Sequence, residues 1–178
     1  MSDKKLVFTK TPSKSDEWYT PLSAIYPILD LIKDNSVIWC PFDKLESNFV
    51  KVFSDNGHTV INGHIDNGED FFNIEIPKCD YIISNPPFSK RNTILTRLFS
   101  FGIPFMMIMN SNGLFDSQVR WNLFKQFNFT LVYLSKRVNF MKEMGVEEKG
   151  SPTFQSLYVC HKISDKQIIF KDLLKDKQ

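Results

Sequence analysis

An α/β fold, built on a mostly parallel sheet covered by helices, is the expectation from three features of the sequence. Short apolar runs rich in β-branched and aromatic residues recur along the chain, segments of helical period separate them, and Asn, Asp, Gly and Pro punctuate the joins. With 178 residues, 42% hydrophobic and 24% charged, the chain can bury a full core as a single domain, and a disordered or fibrous protein is excluded.

Taken in order, a polar lead over residues 1–15 gives way to Pro21–Ile32, whose apolar residues fall at helical spacing broken or kinked by Pro27. Ser36–Cys40 is a compact apolar run after the turn-like Asp34-Asn35 and reads as a buried strand that Pro41 ends. Lys44–Asp55 carries Leu45, Phe49, Val50, Val52 and Phe53 at largely helical intervals, and Asn56-Gly57 supplies its stop. A second strand begins in His58–Asn62, turn chemistry follows in Asp66–Asp70, and Tyr81–Ile83 makes a third strand closed by Ser84-Asn85-Pro86-Pro87. Ile94–Phe101 is helix-like, Phe105–Met109 a buried strand, Gln118–Phe127 an amphipathic helix and Phe129–Leu134 a further strand. The rhythm then breaks: Val138–Phe140, a charged loop over Lys142–Gly150 and Phe154–His161 suggest an antiparallel C-terminal hairpin at the sheet edge, before a polar tail over 164–178.

The remaining composition narrows the function classes. A formal net charge of +2 is too small to mark a nucleic-acid binder by itself. The greasiest run, Phe101–Met109, is far shorter than the roughly 18 residues of a membrane span, and no signal peptide is evident, so a soluble intracellular chain is expected. Cys40, Cys79 and Cys160 are widely spaced and odd in number, and His58, His64 and His161 add no ligand spacing, so no metal site or disulfide framework is expected. Seventeen Phe imply either a core of large flat side chains or aromatic surfaces kept for a flat ligand.

In an open parallel sheet, ligands bind beyond the carboxyl ends of the strands. The residues in those positions are Cys40-Pro41-Phe42-Asp43, Asn62–Asp66, Asp70-Phe71, Ser84–Phe88 and Asn110–Asn112. Asn85-Pro86-Pro87-Phe88 stands out, since such a tetrapeptide arises by chance in only about a few chains per thousand of this length. A rigid strand-ending turn would use the same prolines. The chemistry suits another role. An exocyclic amino group on adenine is a weak nucleophile because its lone pair is delocalised into the ring. The Asn85 side-chain oxygen and the Pro86 carbonyl can accept from its two N–H bonds, Pro86 and Pro87 stiffen the loop, and Phe88 offers a face on which an extruded base can stack.

These residues carry a resemblance. Asn85-Pro86-Pro87-Phe88, preceded by Asp80–Ser84, resembles the catalytic motif of S-adenosylmethionine-dependent N6-adenine DNA methyltransferases. Trp18-Tyr19-Thr20-Pro21 is similar to the segment that opens phage and prophage members and lies against the methionine part of the cofactor. Arg137–Phe140 with Ser151–Val159 resembles their closing hairpin. The resemblance touches most of Asp16–His161. It implies a Rossmann-like methyltransferase fold, S-adenosyl-L-methionine as cofactor, DNA as partner and a cytoplasmic setting in a bacterial or phage-infected cell.

The first cofactor loop departs from the family, where Pro-Phe/Cys-Ala-Gly-x-Gly is usual. Here Cys40-Pro41-Phe42-Asp43-Lys44-Leu45-Glu46-Ser47 keeps Pro-Phe and has no glycine, so Asp43 or Ser47 is expected either to meet the amino-acid end of the cofactor or to cap the following helix. Asp66 is the nearest carboxylate for the ribose, with Asn62 and His64 competing, and Asp70-Phe71 resembles the pair that receives the cofactor's adenine. Lys90 and Arg91 could meet a phosphate beside the target base. Little chain remains for choosing a target sequence beyond Lys142–Lys149 and Asn110–Asp116, so a homodimer or partner protein is expected to supply specificity. The alternatives are a methyltransferase-like binding or inhibitory protein without catalysis, or an acceptor that is RNA adenine or a protein glutamine.

Overall fold

The computed structural model describes residues 18–143, 146–147 and 154–174. The expected lead over 1–15 and the greater part of the charged loop lie outside them.

Each strand and helix expected before Val138 has a counterpart. Pro27 divides the first helical segment into a single α-turn, α1 (Leu22–Ile25), and a 3-10 turn over Tyr26–Leu31, because it cannot donate the next backbone bond. Strand β1 (Val37–Cys40) leads to α2 (Asn48–Asp55), which starts later than Lys44 because Ser47 caps it, its hydroxyl accepting from Val50 N–H at 3.3 Å. Then come β2 (Thr59–Asn62), β3 (Tyr81–Ser84), α3 (Arg91–Phe101), β4 (Phe105–Asn110), α4 (Gln118–Gln126), β5 (Thr130–Leu134), the short β6 (Met141–Glu143) and β7 (Val146–Glu147), β8 (Ser156–His161) and β9 (Ile168–Lys171). Gly102 ends α3 at φ 65°, a left-handed conformation that glycine adopts without steric penalty.

The seven-stranded sheet runs β2-β1-β3-β4-β8-β5-β9. The first four strands are mutually parallel, β8 is antiparallel to both β4 and β5, and β9 is parallel to β5. Two sequence expectations are corrected here. No edge hairpin joins Val138–Phe140 to Phe154–His161: residues 138–140 form no strand, β6 and β7 make a separate ribbon, and β8 inserts into the middle of the sheet. All six residues of β8 are buried, which is what apolar side chains on both faces, Leu157 and Val159 against Tyr158 and Cys160, require. The segment expected to be a polar tail contributes β9, a period-two edge strand.

Helices cover both faces. One core gathers Ala24, Ile25, Ile28, Phe49 and Phe53 against Ile38, Ile83, Met106 and Tyr158; the other gathers Leu95, Leu98, Phe99 and Phe124 against Ile82, Phe105, Leu157 and Val159. Tyr158 ties the central strand to α1 by donating its hydroxyl to the Ala24 carbonyl at 2.9 Å, both groups buried. Tyr158→Phe is therefore expected to lower unfolding free energy by about 1–3 kcal/mol, the cost of an unmatched buried acceptor, measured by denaturant titration.

Candidate active site

The strand order reverses between β1 and β3. From β1 the chain builds outward to β2, and from β3 it builds the other way to β4, so the carboxyl ends of β1 and β3 flank a crevice at the switch point. Asn85-Pro86-Pro87-Phe88 leaves β3 there, and Cys40-Pro41-Phe42-Asp43 leaves β1 beside it.

Asn85 is held at its side chain, whose Nδ2 donates to the Trp18 carbonyl at 2.7 Å and so leaves Oδ1 as the acceptor of the amide. The Trp18 segment is itself clamped: Tyr19 exchanges two backbone bonds with Met141, at 2.7 and 2.9 Å, and the Lys142 amine lies over the Trp18 ring, 5.2 Å from its centre. One residue on, the Thr20 carbonyl accepts from the Asn48 side chain at 2.9 Å, placing Thr20 against the first turn of α2. Thr20 Oγ1 is buried and has no hydrogen-bond partner among the described residues.

Asp43 faces inward. It is 7% exposed, and its carboxylate accepts from the Ser84 hydroxyl, which in turn accepts from Phe42 N–H at 3.1 Å. Burial pushes its carboxyl up to about 6, against the pull of the Ser84 hydroxyl and of the nearby Ser47 hydroxyl and Asn85 backbone N–H, which favour the charged form. Cys40 is fully buried in the core, and burial, with the Asp43 charge, pushes its thiol well above the ordinary range. Pro41 is buried too. Phe42 is half-buried, and its ring lies 4.7 Å from that of the buried Phe71, centre to centre, joining two of the predicted contacts.

The other predicted residues divide by what they touch. Asp70 turns on its own loop, accepting from Phe72 N–H at 3.0 Å and from the Asn73 amide at 2.6 Å. Asp66 is exposed and pairs with Lys44 at 2.7 Å; that bond, with a lesser contribution from His64, holds its carboxyl below the usual range and links the turns after β1 and β2. Phe88 packs edge-on against Phe140 and Phe154, with ring centres 6.1 and 5.9 Å away. Arg91 reaches back to the Asn110 and Asn112 carbonyls at 3.0 and 3.1 Å, bracing the loop after β4, and the Lys90 amine lies 5.2 Å from the centre of the Phe72 ring.

Ser84, Phe140 and Phe154 belong to this site although sequence reasoning did not single them out. Ser84 adjoins the motif, and only the fold shows that its hydroxyl meets Asp43. Among the described residues, no group of three or more His, Cys, Asp or Glu is placed to hold a metal ion, and no helix is long and apolar enough to cross a membrane.

No protein-family profile and no curated protein matches the sequence. Its fold is similar to that of a crystal structure described as a modification subunit of a type I restriction enzyme from Vibrio vulnificus, with a TM-score of 0.56 and 11% identity over 94% of this chain and 49% of that one. A methyltransferase subunit of a type I restriction-modification system from Streptococcus thermophilus aligns over 88% of this chain and 47% of its own, at 11% identity and a TM-score of 0.48. The chain thus spans about half the length of these structures, and the fold it shares with the first is the Rossmann-like fold of a modification subunit.

The raised carboxyl of Asp43 makes a prediction about stability. Its favourable contribution is complete below the ordinary value of 3.8 and is lost as pH rises through about 6, a span of about two pH units or about 3 kcal/mol. Between about pH 7 and about pH 4.5, the unfolding free energy of the wild type minus that of Asp43→Asn should therefore shift toward the wild type by about 1–3 kcal/mol. Denaturant unfolding across that window checks this, and a flat difference would contradict it.

Proposed function

We propose that the protein is an S-adenosylmethionine-dependent methyltransferase acting on the N6 amino group of adenine in DNA. The observation that carries this reading is the position of Asn85-Pro86-Pro87-Phe88: it stands at the switch point, with the Asn85 amide nitrogen already committed to Trp18 so that its oxygen is the acceptor. Two acceptors, Asn85 Oδ1 and the Pro86 carbonyl, can draw on the two N–H bonds of an exocyclic amine and concentrate electron density on its nitrogen. The prolines restrict the loop, so neither acceptor relaxes away, and Phe88 offers an aromatic surface for the base. Catalysis is then positioning and polarisation, with the proton of the methylated amine passing to solvent.

The residues present fit the cofactor. Thr20 Oγ1, buried beside the first turn of α2 and without a partner among the described residues, supplies a hydroxyl where the polar amino-acid end of the group would lie, and Trp18, Tyr19 and Phe42 would line the approach. Asp66 would meet the ribose and Phe71 the adenine, reached past Phe42. When bound, the group supplies an electrophilic methyl on a sulfonium. The similarity to a modification subunit supports methyl transfer to DNA, and a second copy or a partner protein is proposed to supply sequence choice.

Incubation with DNA and methyl-labelled cofactor should place label in N6-methyladenine. Asn85→Ala should lower turnover by about 100-fold or more, the usual effect of losing one positioned transition-state contact, and change cofactor affinity only modestly. Label absent from N6-methyladenine across single-stranded, duplex and mixed-sequence DNA would overturn the assignment.

A further inference from the structure

Strand β9 ends the sheet on the β5 side, and among the described residues nothing pairs with its outer edge. Such an edge is ordinarily blunted by proline or a bulge, and β9 has neither. It presents apolar side chains instead: Phe170 is 79% exposed and Ile168 49%. Both stand on one face, in register with Tyr133 and Leu131 of β5, so they carry the apolar surface of one core past the last strand. The Phe170 ring lies 5.9 Å from that of Tyr133, centre to centre. The backbone directions follow from the bonds to β5. Leu131 and Ser135 N–H donate to the Gln167 and Lys171 carbonyls at 2.8 and 2.9 Å, so the odd-numbered residues of β9 turn their backbone groups toward β5. By alternation, Ile168 and Phe170 turn theirs to the open edge.

We propose that β9 is the docking edge for a second copy of this chain, the two β9 strands pairing antiparallel about a two-fold axis normal to the sheet. Such an axis sets side chains of the same face opposite one another, so the open registers differ by steps of two residues. The register centred on Ile169 is self-complementary. It places Ile168 opposite the partner's Phe170, and the exposed Lys166 opposite the partner's Asp172, which is also exposed. A step one way sets Lys166 against the partner's Phe170, and a step the other way sets Ile168 against the partner's Asp172. Each alternative opposes a charge to an apolar side chain. In the centred register the outward N–H and C=O groups of Ile168 and Phe170 also find each other across the axis. This inference goes beyond the proposed reaction and stands whether or not methyl transfer is found. Because the paired strands run oppositely, the two crevices open at opposite ends of the joined sheet, so the contact assembles two copies without bringing both to one stretch of DNA.

The test is the association state of the full chain and its response to edge substitutions. Sedimentation should show a concentration-dependent dimer with a dissociation constant on the order of 10 μM, as suits an interface at the small end of the range. Phe170→Lys, at a side chain that the fold leaves exposed, should weaken dimerisation by at least about 10-fold with an unchanged circular dichroism spectrum. Lys166→Asp and Asp172→Lys should each weaken it, and the double variant should recover, since the pair re-forms with its signs exchanged. Cys40 and Cys160 are buried, so Cys79→Ser gives a background for cross-linking. In it, Ile169→Cys should form a disulfide-linked dimer on mild oxidation, because a residue opposite its own copy in a non-hydrogen-bonded pair has its Cα about 4.5 Å away. Gln167→Cys, which faces the partner's Lys171 and not its own copy, should not. A protein that stays monomeric up to about 200 μM would overturn the proposal, whether another protein or another stretch of this chain covers the edge. So would a dimer that is indifferent to Phe170→Lys and does not cross-link through Ile169→Cys, since the copies would then meet elsewhere.

Discussion

The carboxylate of Asp43 is the point on which the β1 and β3 carboxyl ends are joined. Parallel strands diverge at their ends, and at a switch point the loops leave in opposite senses, so something must hold them in register across the crevice. Here that is a buried carboxylate on the β1 turn that accepts from the hydroxyl of Ser84 at the end of β3, while Ser84 accepts in turn from Phe42 N–H. A buried carboxylate is retained only where its bonds offset the loss of water, and the raised carboxyl of Asp43 shows that they do so incompletely. The arrangement therefore trades stability for a fixed end of β3, the residue before Asn85: the charged state that takes up the Ser84 hydroxyl is the one that burial opposes.

Around that anchor the rest of the fold acts as support. Strand β8 fills the centre of the sheet, and its Tyr158 fastens α1 through Ala24, while the adjoining Trp18–Thr20 segment is held against Asn85 and the first turn of α2. Met141 holds the same segment through Tyr19, and Phe140 and Phe154 back the ring of Phe88. The many phenylalanines thus divide between a core, where Phe49, Phe53, Phe99 and Phe105 are nearly or fully buried, and rings such as Phe42 and Phe88 that line the crevice and are half-buried.

Much of this is legible in the sequence, for identifiable reasons. Strands β1, β3 and β4 are short runs apolar on both faces with clear turn residues beyond, so their existence and their carboxyl-end loops follow from pattern alone. The placement of β8 does not, because an apolar run records burial and not which neighbours provide it; Ser156–His161 reads equally well as an edge hairpin or as a central strand. Strand β9 is hidden by the flanking Lys and Asp residues and by the exposure of Ile168 and Phe170 at an edge. At the site, Asn85–Phe88 stands out through the rarity of paired prolines, and the β1 turn through its position after a strand. The inward direction of Asp43 and its bond to Ser84 depend on residues 41 positions apart, which no local pattern records.

The most direct test is a crystal structure of the protein with S-adenosylmethionine bound, at a resolution that shows hydrogen-bond geometry around Asp43. The account predicts the cofactor across the carboxyl ends of β1 and β3, with Thr20 Oγ1 newly partnered and Asp43 still bonded to Ser84. A cofactor seated elsewhere, or an Asp43 carboxylate turned outward to bind the ligand with its bond to Ser84 broken, would contradict it.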